Sequence, residues 1–270
     1  MPDFFAFARE LSVAARRETL RDLSITSGLE DKNPGGPFDP VSNADREAER
    51  AMRDLIVEAF PDHGILGEEF DNRAGASAYQ WSLDPIDGTR SYISGLPTWT
   101  TLIALMENGR PIMGLIDAPR LDELYVGFHE TSWKEAAGVR TPIRVSKVGE
   151  LGEARLATTD PLLFKGNAAA AFKTLYGATR ITRFGYDAYA YARLASGTID
   201  LVVECELKPH DYQALIPVVR GAGGTFGDWS GGTDFSAGQV IGAATRELYV
   251  AAVEVMRAAA SSVPLAKDAD

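Results

Sequence analysis

Residues 81–90 read Trp-Ser-Leu-Asp-Pro-Ile-Asp-Gly-Thr-Arg, and the rest of the chain is organised around this stretch. Its apolar start predicts the end of a buried strand, which Pro85 would stop. Gly88 permits a backbone turn that other residues resist, and a short helix can follow it. A strand-to-helix turn of this kind would hold the two aspartates of the stretch close to its threonine.

Two interpretations of this turn are open. Amides at the start of a helix can hold a phosphate, but Asp84 and Asp87 would repel it unless a cation lay between them. The first interpretation is therefore a hard metal ion that bridges carboxylates and a phosphate. The second is an Asx-type turn, in which an aspartate only shapes the backbone. The ten residues alone do not decide between the two.

The composition is that of an ordinary folded protein with a large core. The 270 residues can form one large domain or two small ones. The formal net charge is −11, which argues against a nucleic acid or an anionic membrane as a partner. An anionic substrate would therefore need a local counter-charge, which a metal ion could supply.

Cysteine usage and hydropathy predict a cytoplasmic protein. The single cysteine, Cys205, excludes an internal disulfide framework and fits a reducing compartment. Its place in a predicted strand indicates a buried structural thiol. The sequence shows no secretory signal and no apolar run of transmembrane length.

The first half of the chain predicts two helices followed by strands. Apolar residues recur at helical spacing from Phe4 to Leu23 and again from Ala44 to Ala59. The intervening segment from Ser24 to Pro40 predicts a mobile loop, in which Lys32 would be a solvated lysine. The strands that follow include a hairpin that turns at Asn108-Gly109.

The second half alternates strands and helices, which predicts an α/β layer. One helix is predicted from Asp211 to Arg220, and a final helix from Arg246 to Ala260. The predicted fold class is therefore α/β with two domains. Residues 1–146 would form an N-terminal α+β domain, and residues 147–270 a C-terminal α/β domain.

Acidic residues outside the central turn have ordinary interpretations when each is taken alone. Asp45 follows Ser42 by three residues, the spacing of a helix capping box. Glu68 and Glu69 end a short apolar run, where alternation predicts that at most one faces a given site. Asp211 begins a helix that its side chain could cap.

Taken together, these acids form a known pattern. Gly-Glu-Glu at 67–69, Asp-Pro-Ile-Asp-Gly-Thr at 84–89 and Asp211 at a helix start resemble the inositol monophosphatase superfamily of magnesium-dependent, lithium-sensitive phosphatases. The similarity extends from the second helix to Gly-Ala-Gly-Gly at 221–224. It implies a layered αβαβα sandwich, in which the N-terminal domain carries most metal ligands, and a homodimer.

The resemblance also implies a role for each residue of the pattern. The site would hold two Mg²⁺ ions, with a third, weaker one near Glu68, and oxygen-only ligands suit such a hard cation. The implied metal ligands are Glu68, Asp84, the Ile86 carbonyl, Asp87 and Asp211. Thr89, hydrogen-bonded to Asp45, would activate the attacking water together with Glu68. The amides of Gly88 and Thr89 would hold the phosphate.

Three stretches look like the histidinol-phosphate phosphatase branch of that superfamily. They are Glu-Cys-Glu-Leu-Lys-Pro-His-Asp-Tyr at 204–212, the run from Asp87 to Pro97 followed by Thr-Leu-Ile-Ala-Leu at 101–105, and Phe-Gly-Tyr-Asp-Ala-Tyr-Ala-Tyr at 184–191. This implies hydrolysis of L-histidinol phosphate, a small phosphorylated metabolite of histidine biosynthesis.

Carboxylates suit a substrate that carries an ammonium and an imidazole. The candidate substrate residues are Asp187, Glu204, Gly185 and Arg90. Asp187 could instead be a helix-start acid and Glu204 a strand-end charge, while Arg90 could contact phosphate, a partner subunit or an acid. The alternative functions are an inositol-1-phosphate or broad sugar-phosphate phosphatase, and a metal- or phosphometabolite-binding protein without turnover.

Overall fold

The computed structural model describes residues 3–21, 29–32, 35 and 40–260, which form two larger sheets, a short two-stranded ladder and the helices around them. The helices are α1 (Phe4–Thr19), α2 (Asn43–Ala59), α3 (Thr89–Ile93), α4 (Gly166–Ala178), α5 (Tyr189–Ala195), α6 (Pro209–Tyr212), α7 (Leu215–Gly221) and α8 (Arg246–Ala260). The strands are β1 (Glu30–Asp31), β2 (Pro40–Val41), β3 (Gly64–Gly67), β4 (Tyr79–Asp87), β5 (Thr100–Glu107), β6 (Arg110–Ala118), β7 (Glu123–Phe128), β8 (Thr131–Ala136), β9 (Val139–Pro142), β10 (Arg155–Thr158), β11 (Ile181–Phe184), β12 (Leu201–Glu204), β13 (Thr225–Gly227) and β14 (Val240–Ala243).

The larger sheet has seven strands that follow one another in chain order from β3 to β9. The β3–β4 pair is parallel, and the other neighbours are antiparallel. The predicted hairpin is confirmed, because β5 and β6 join through Asn108 (φ 50°) and Gly109 (φ 74°). Positive φ at both residues is the backbone that a two-residue hairpin turn requires.

The smaller sheet has five strands in the order β11-β10-β12-β14-β13. The first three strands are parallel, while β14 runs antiparallel to both β12 and β13. The sequence did not predict β14, although its four residues are all buried. A short apolar run that is buried on both faces shows no alternation, so the period-2 signal of a strand is absent there.

Helices cover both faces of each sheet. On one face of the larger sheet, α1 and α2 bury Leu11 and Met52 against β4 and β5. Helices α5 and α7 lie between the two sheets, and α4 and α8 cover the outer face of the smaller sheet. The predicted αβαβα order of layers is confirmed. The central layer draws core residues from both halves of the chain, and the division into domains at residues 146/147 stays a prediction.

Two local predictions differ from the structure. The helix predicted from Asp211 to Arg220 is two helices, α6 and α7, separated by a turn at Gln213-Ala214. The turn lets α7 pack across the larger sheet while α6 carries Asp211 toward β4. Helix periodicity predicts the apolar face but not the interruption of the helix at this turn.

The segment between α1 and α2 is only partly described. Helix α1 ends at Thr19, and of the predicted loop from Ser24 to Pro40 the residues 24–28, 33–34 and 36–39 lie outside the described residues, so the predicted mobility stays a prediction. The described part is not a plain loop, because β1 pairs with β2. Within the part of the chain that the structure describes, no helix has the length and apolar character needed to cross a membrane.

Candidate active site

Strand β4 does not end at Pro85 as predicted, and continues through a bulge to Asp87. Asp84 lies opposite Leu102, and Asp87 lies opposite Thr100. Between these two pairs β4 has two residues, Pro85 and Ile86, where β5 has only Thr101. A bulge tolerates proline because the ladder hydrogen bond that proline cannot donate is interrupted there. The Thr101 hydroxyl donates to the Pro85 carbonyl at 2.7 Å. The bulge therefore re-aims the end of β4, and with it the second aspartate.

Gly88 follows the strand in a left-handed conformation, with φ +83° and ψ 45°. The predicted helix begins directly afterwards as α3. A Cβ at position 88 would lie 2.6 Å from Oδ2 of Asp187, an acid from the second half of the chain. Glycine is thus required both by the backbone angle and by the close approach of Asp187.

Three aspartates converge at this turn. Asp84, Asp87 and Asp211 each offer one carboxylate oxygen, and these oxygens lie within 4.8 Å of one another. Burial, followed by repulsion from neighbouring carboxylates, raises the pKa of Asp84 and of Asp87 well above the usual range. Burial also raises the pKa of Asp211. Mutual repulsion of buried carboxylates is relieved when a cation binds between them.

The residues present fit a hard divalent cation. Oδ1 of Asp84 is buried without a hydrogen-bond partner, and a buried carboxylate oxygen in that state is costly unless it binds a proton or a metal. The three aspartates offer only oxygen ligands, which Mg²⁺ prefers. Asp211 also accepts a hydrogen bond from the Lys208 N–H at 2.7 Å, so its predicted capping role is confirmed as well.

The structure differs from two predictions, one about the pair Glu68 and Glu69 and one about Lys32. Both carboxylates contact the Lys32 ammonium, at 2.9 Å and 2.6 Å. The prediction that at most one of the pair faces a given site is wrong here, because β3 ends at Gly67 and strand alternation does not extend to the bend that follows. Lys32 is not a solvated lysine, since its side chain is only 24% exposed.

The Lys32 contact sets the charge state of the predicted metal ligand Glu68. Burial raises the pKa of Glu68, but the charges of Lys32 and His210 outweigh it and lower that pKa overall. Burial raises the pKa of Glu69 to about 7. The Lys32 ammonium therefore keeps Glu68 ionised. A metal ion that binds Glu68 would have to displace this ammonium or bind close to its positive charge.

Replacing Lys32 with glutamine should strengthen Mg²⁺ binding. The variant loses the cation that competes for Glu68, so we expect the Mg²⁺ concentration for half-maximal activity to fall about fivefold, equivalent to about 1 kcal/mol. Lys134→Gln is the matched control, because Lys134 forms a similar pair with Glu123 at 3.0 Å away from the acidic cluster. An unchanged or higher Mg²⁺ requirement in the Lys32 variant would show that the ammonium does not compete with the metal.

Asp45 caps α2 and also has an oxygen to spare. Its Oδ2 accepts hydrogen bonds from the Ser42 N–H at 2.9 Å and the Ser42 hydroxyl at 2.5 Å, which confirms the capping box. Its Oδ1 is buried without a partner, and burial raises the pKa of Asp45 to about 6. The predicted hydrogen bond from Thr89 to Asp45 is not the one in the structure, since the Thr89 hydroxyl donates to the Ile86 carbonyl at 3.1 Å. The catalytic roles of both residues stay predictions.

Asp187 and Glu204, two of the candidate substrate residues, line one pocket with Asp87 and Asp211. Glu204 is buried and accepts hydrogen bonds from Thr158 and Thr159, and burial raises its pKa to about 8. It therefore ends β12 but is not a simple surface charge.

Asp187 comes to this pocket through the turn before α5. Its backbone has φ +46°, and its Oδ2 accepts a hydrogen bond from the Ser91 hydroxyl at 3.1 Å. Burial raises the pKa of Asp187, while the Ser91 hydrogen bond and the charge of Arg90 oppose that shift. Gly185 precedes it with φ +80° and open space where a side chain would stand. The substrate roles of these residues stay predictions.

Several supporting residues were not predicted as such. Thr101 supports the bulge, Ser91 and Thr159 donate to the candidate substrate residues Asp187 and Glu204, and Lys32 binds the paired glutamates. Each acts on a residue that is distant in the chain or in another strand. No spacing rule could have found them, because the contacts depend on register and packing.

The fold and the acidic cluster define a class of protein: a layered α/β protein whose buried aspartates can hold a divalent metal ion. The inositol monophosphatase family matches residues 3–261, and the chain belongs to that family. The predicted superfamily assignment is therefore confirmed.

Individual relatives carry different names. The chain is 44% identical over 199 residues to a protein of Arabidopsis thaliana named bifunctional phosphatase IMPL2, chloroplastic, covering 71% of this chain but only 55% of that protein. It is 34% identical over 231 residues to a histidinol-phosphatase of Chlorobaculum parvum, covering 83% and 85%. The structure of an inositol monophosphatase from Zymomonas mobilis superposes with a TM-score of 0.81 at 35% identity, covering 94% of this chain and 98% of that one.

Proposed function

We propose that this chain is a Mg²⁺-dependent phosphomonoesterase that hydrolyses L-histidinol phosphate to L-histidinol and phosphate. The observation that carries the proposal is the placement of two acids, Asp187 and Glu204, in one pocket with two of the clustered aspartates. A phosphate on the metal side then has carboxylates next to it that suit a cationic alcohol.

The residues of the chain would divide the work as follows. Asp84, Asp87, Asp211 and Glu68, with the Ile86 carbonyl, would hold two Mg²⁺ ions. When bound, Mg²⁺ neutralises charge on the phosphate and lowers the pKa of water in the site. The amides of Gly88 and Thr89 would orient the phosphate. Asp45 has a spare oxygen and a pKa of about 6, which suits the uptake of a proton. The Thr89 hydroxyl would pass that proton only after it turns away from the Ile86 carbonyl to which it donates here.

The reaction adds one water across the ester. The water oxygen bonds to phosphorus, the phosphorus–oxygen ester bond breaks, and the alcohol oxygen takes up a proton. Asp45 and Thr89 serve the incoming water, while Asp87 and Asp211 lie on the side of the alcohol because they share its pocket with Asp187 and Glu204.

A substrate panel tests this proposal. We expect kcat/KM for L-histidinol phosphate to exceed that for inositol 1-phosphate, fructose 1,6-bisphosphate and a 3′-phosphonucleotide by at least about tenfold, the discrimination that about 1.4 kcal/mol supplies. Assays with and without EDTA control for metal dependence. A tenfold preference for inositol 1-phosphate would replace the proposal with the alternative below.

The alternative is an inositol-1-phosphate or broad sugar-phosphate phosphatase, which the similarity to the Zymomonas mobilis structure favours. A carboxylate at Glu204 can accept hydrogen bonds from sugar hydroxyls as well as from an ammonium. A non-catalytic binding protein is a weaker candidate, because the aspartate cluster and Asp45 are all present. The cytoplasmic location and the homodimer stay predictions.

A further inference from the structure

Asp187 and Glu204 line a recess of about 20 Å³ together with Asp87 and Asp211. Among the described residues, its lining contains four carboxylates and no lysine, arginine or histidine. A volume of this size holds one group as large as a water molecule, and an imidazole ring is far larger. The charge of the lining favours a cation, and its size favours a compact one.

Two neutral polar residues, Thr159 and Tyr191, also line this recess, and the Thr159 hydroxyl already donates to Glu204. Tyr191 is 1% exposed, and its hydroxyl has no hydrogen-bond partner. The ring is held in the central layer, where its centroid lies 5.8 Å from that of the Phe226 ring and where a Cβ at Gly242 would lie only 3.0 Å from it. The hydroxyl is therefore fixed in place, and an unpaired buried hydroxyl is costly unless a ligand uses it.

The acids of the recess fall into two groups. Asp87 and Asp211 belong to the cluster that can hold a metal ion, whereas Asp187 and Glu204 do not. Asp187 accepts one hydrogen bond from Ser91, and Glu204 accepts three from Thr158 and Thr159. Because a carboxylate has about four lone-pair positions, both acids keep acceptor capacity for a second positive group, beside the unpaired hydroxyl of Tyr191. An ammonium has three N–H donors, which matches three acceptor side chains around a recess of this size.

We propose that this recess is a subsite for a primary ammonium group of the substrate, and that Tyr191 is a specificity-determining residue that accepts one of its N–H groups. This inference rests on the proposed function and narrows its substrates to phosphate esters that carry a primary ammonium group. The ammonium of the substrate enters the recess, and the imidazole lies outside it. Selectivity for amino-substituted phosphate esters then depends on Tyr191 as well as on the two acids.

The test compares two substrates that differ only in the ammonium: L-histidinol phosphate and its desamino analogue, 3-(imidazol-4-yl)propyl phosphate. We expect the wild type to prefer the amine by at least about 100-fold in kcat/KM, as a site with buried polar groups does. Tyr191→Phe should lower kcat/KM for the amine about tenfold, mainly through KM, and change the analogue by less than about twofold. Its thermal midpoint should be no lower than that of the wild type, because the hydroxyl has no partner to lose.

Tyr189→Phe is the matched control, because Tyr189 lies on the same helix and its hydroxyl donates to Glu123 at 3.0 Å instead. It should leave the ratio between the two substrates unchanged. Equal losses for both substrates in Tyr191→Phe, or a lowered thermal midpoint, would assign Tyr191 a structural role and overturn the inference. Efficient hydrolysis of both substrates by the wild type would also overturn it while leaving the proposed function intact. A preference for inositol 1-phosphate would overturn the proposed function itself.

Discussion

Asp87→Asn will lower kcat/KM by at least about 10³-fold, a loss of about 4 kcal/mol of transition-state stabilisation. Asp87 is one of the three clustered aspartates, and an amide there offers a neutral ligand where a carboxylate should stand. The fold should survive, because the strand, the bulge and α3 keep their backbone. Phosphate release from L-histidinol phosphate or inositol 1-phosphate measures the loss under either candidate function.

The same substitution should stabilise the metal-free protein. Burial and then repulsion from Asp187 and Asp211 raise the pKa of Asp87, so the folded state holds a proton there more tightly than the unfolded state. The free energy of unfolding therefore falls as the pH rises above about 3.9, the pKa of this aspartate in the unfolded state, because the buried carboxylate then loses its proton. At pH 7.5 in EDTA we expect a higher thermal midpoint for the variant, by about 2–4 °C for each kcal/mol of relieved repulsion.

Two controls accompany the Asp87 variant. Asp54→Asn changes an exposed aspartate of α2 and should alter neither activity nor thermal midpoint. Added Mg²⁺ should raise the thermal midpoint of the wild type more than that of Asp87→Asn, because a ligand stabilises only the state that binds it. Activity within about tenfold of the wild type would exclude Asp87 from the metal site.

Gly88→Ala will be the second large loss, at least about 10²-fold in kcat/KM. Its Cβ would lie 2.6 Å from Oδ2 of Asp187, so either the turn or the Asp187 side chain must move. The left-handed backbone adds about 1–2 kcal/mol of strain for any residue with a side chain. Displacement of the turn would move Asp87 and the amides that are proposed to hold phosphate.

Gly109→Ala is the control that separates the effect of left-handed backbone strain from the effect of the steric clash between position 88 and Asp187. Gly109 also has a positive φ, at +74°, but a Cβ there meets open space. We expect it to cost stability while leaving activity unchanged. In the double variant Gly88→Ala/Asp187→Ala the thermal midpoint should recover toward that of Asp187→Ala alone, because the clashing carboxylate is gone. Additive losses in the double variant would contradict the contact between the two positions.

Much of the fold could be predicted because its signals are local. The amphipathic α1 and α2, the Asn108-Gly109 hairpin and the terminal helix α8 each arise from a periodicity or a turn preference in adjacent residues. The short buried strand β14 has no such signal, and the bulge at Pro85 depends on the register of a neighbouring strand. The layer order came from the family resemblance, which summarises packing that no single segment encodes.

The local spacing of acids pointed to the aspartates of the central turn, but Asp211 joined them only through the family resemblance, because that residue taken alone has the signal of a helix cap. Tertiary structure decided which of these acids meet, since Asp211 and Asp187 reach β4 only after the two sheets pack around the central helices. It also decided that Lys32 pairs with both glutamates and that Tyr191 has an unpaired hydroxyl beside four carboxylates. The charge state of each acid and the groups that it can contact depend on residues that are close in space but distant in the chain. For that reason only the folded protein separates the acids that can hold a metal ion from those proposed to contact the substrate.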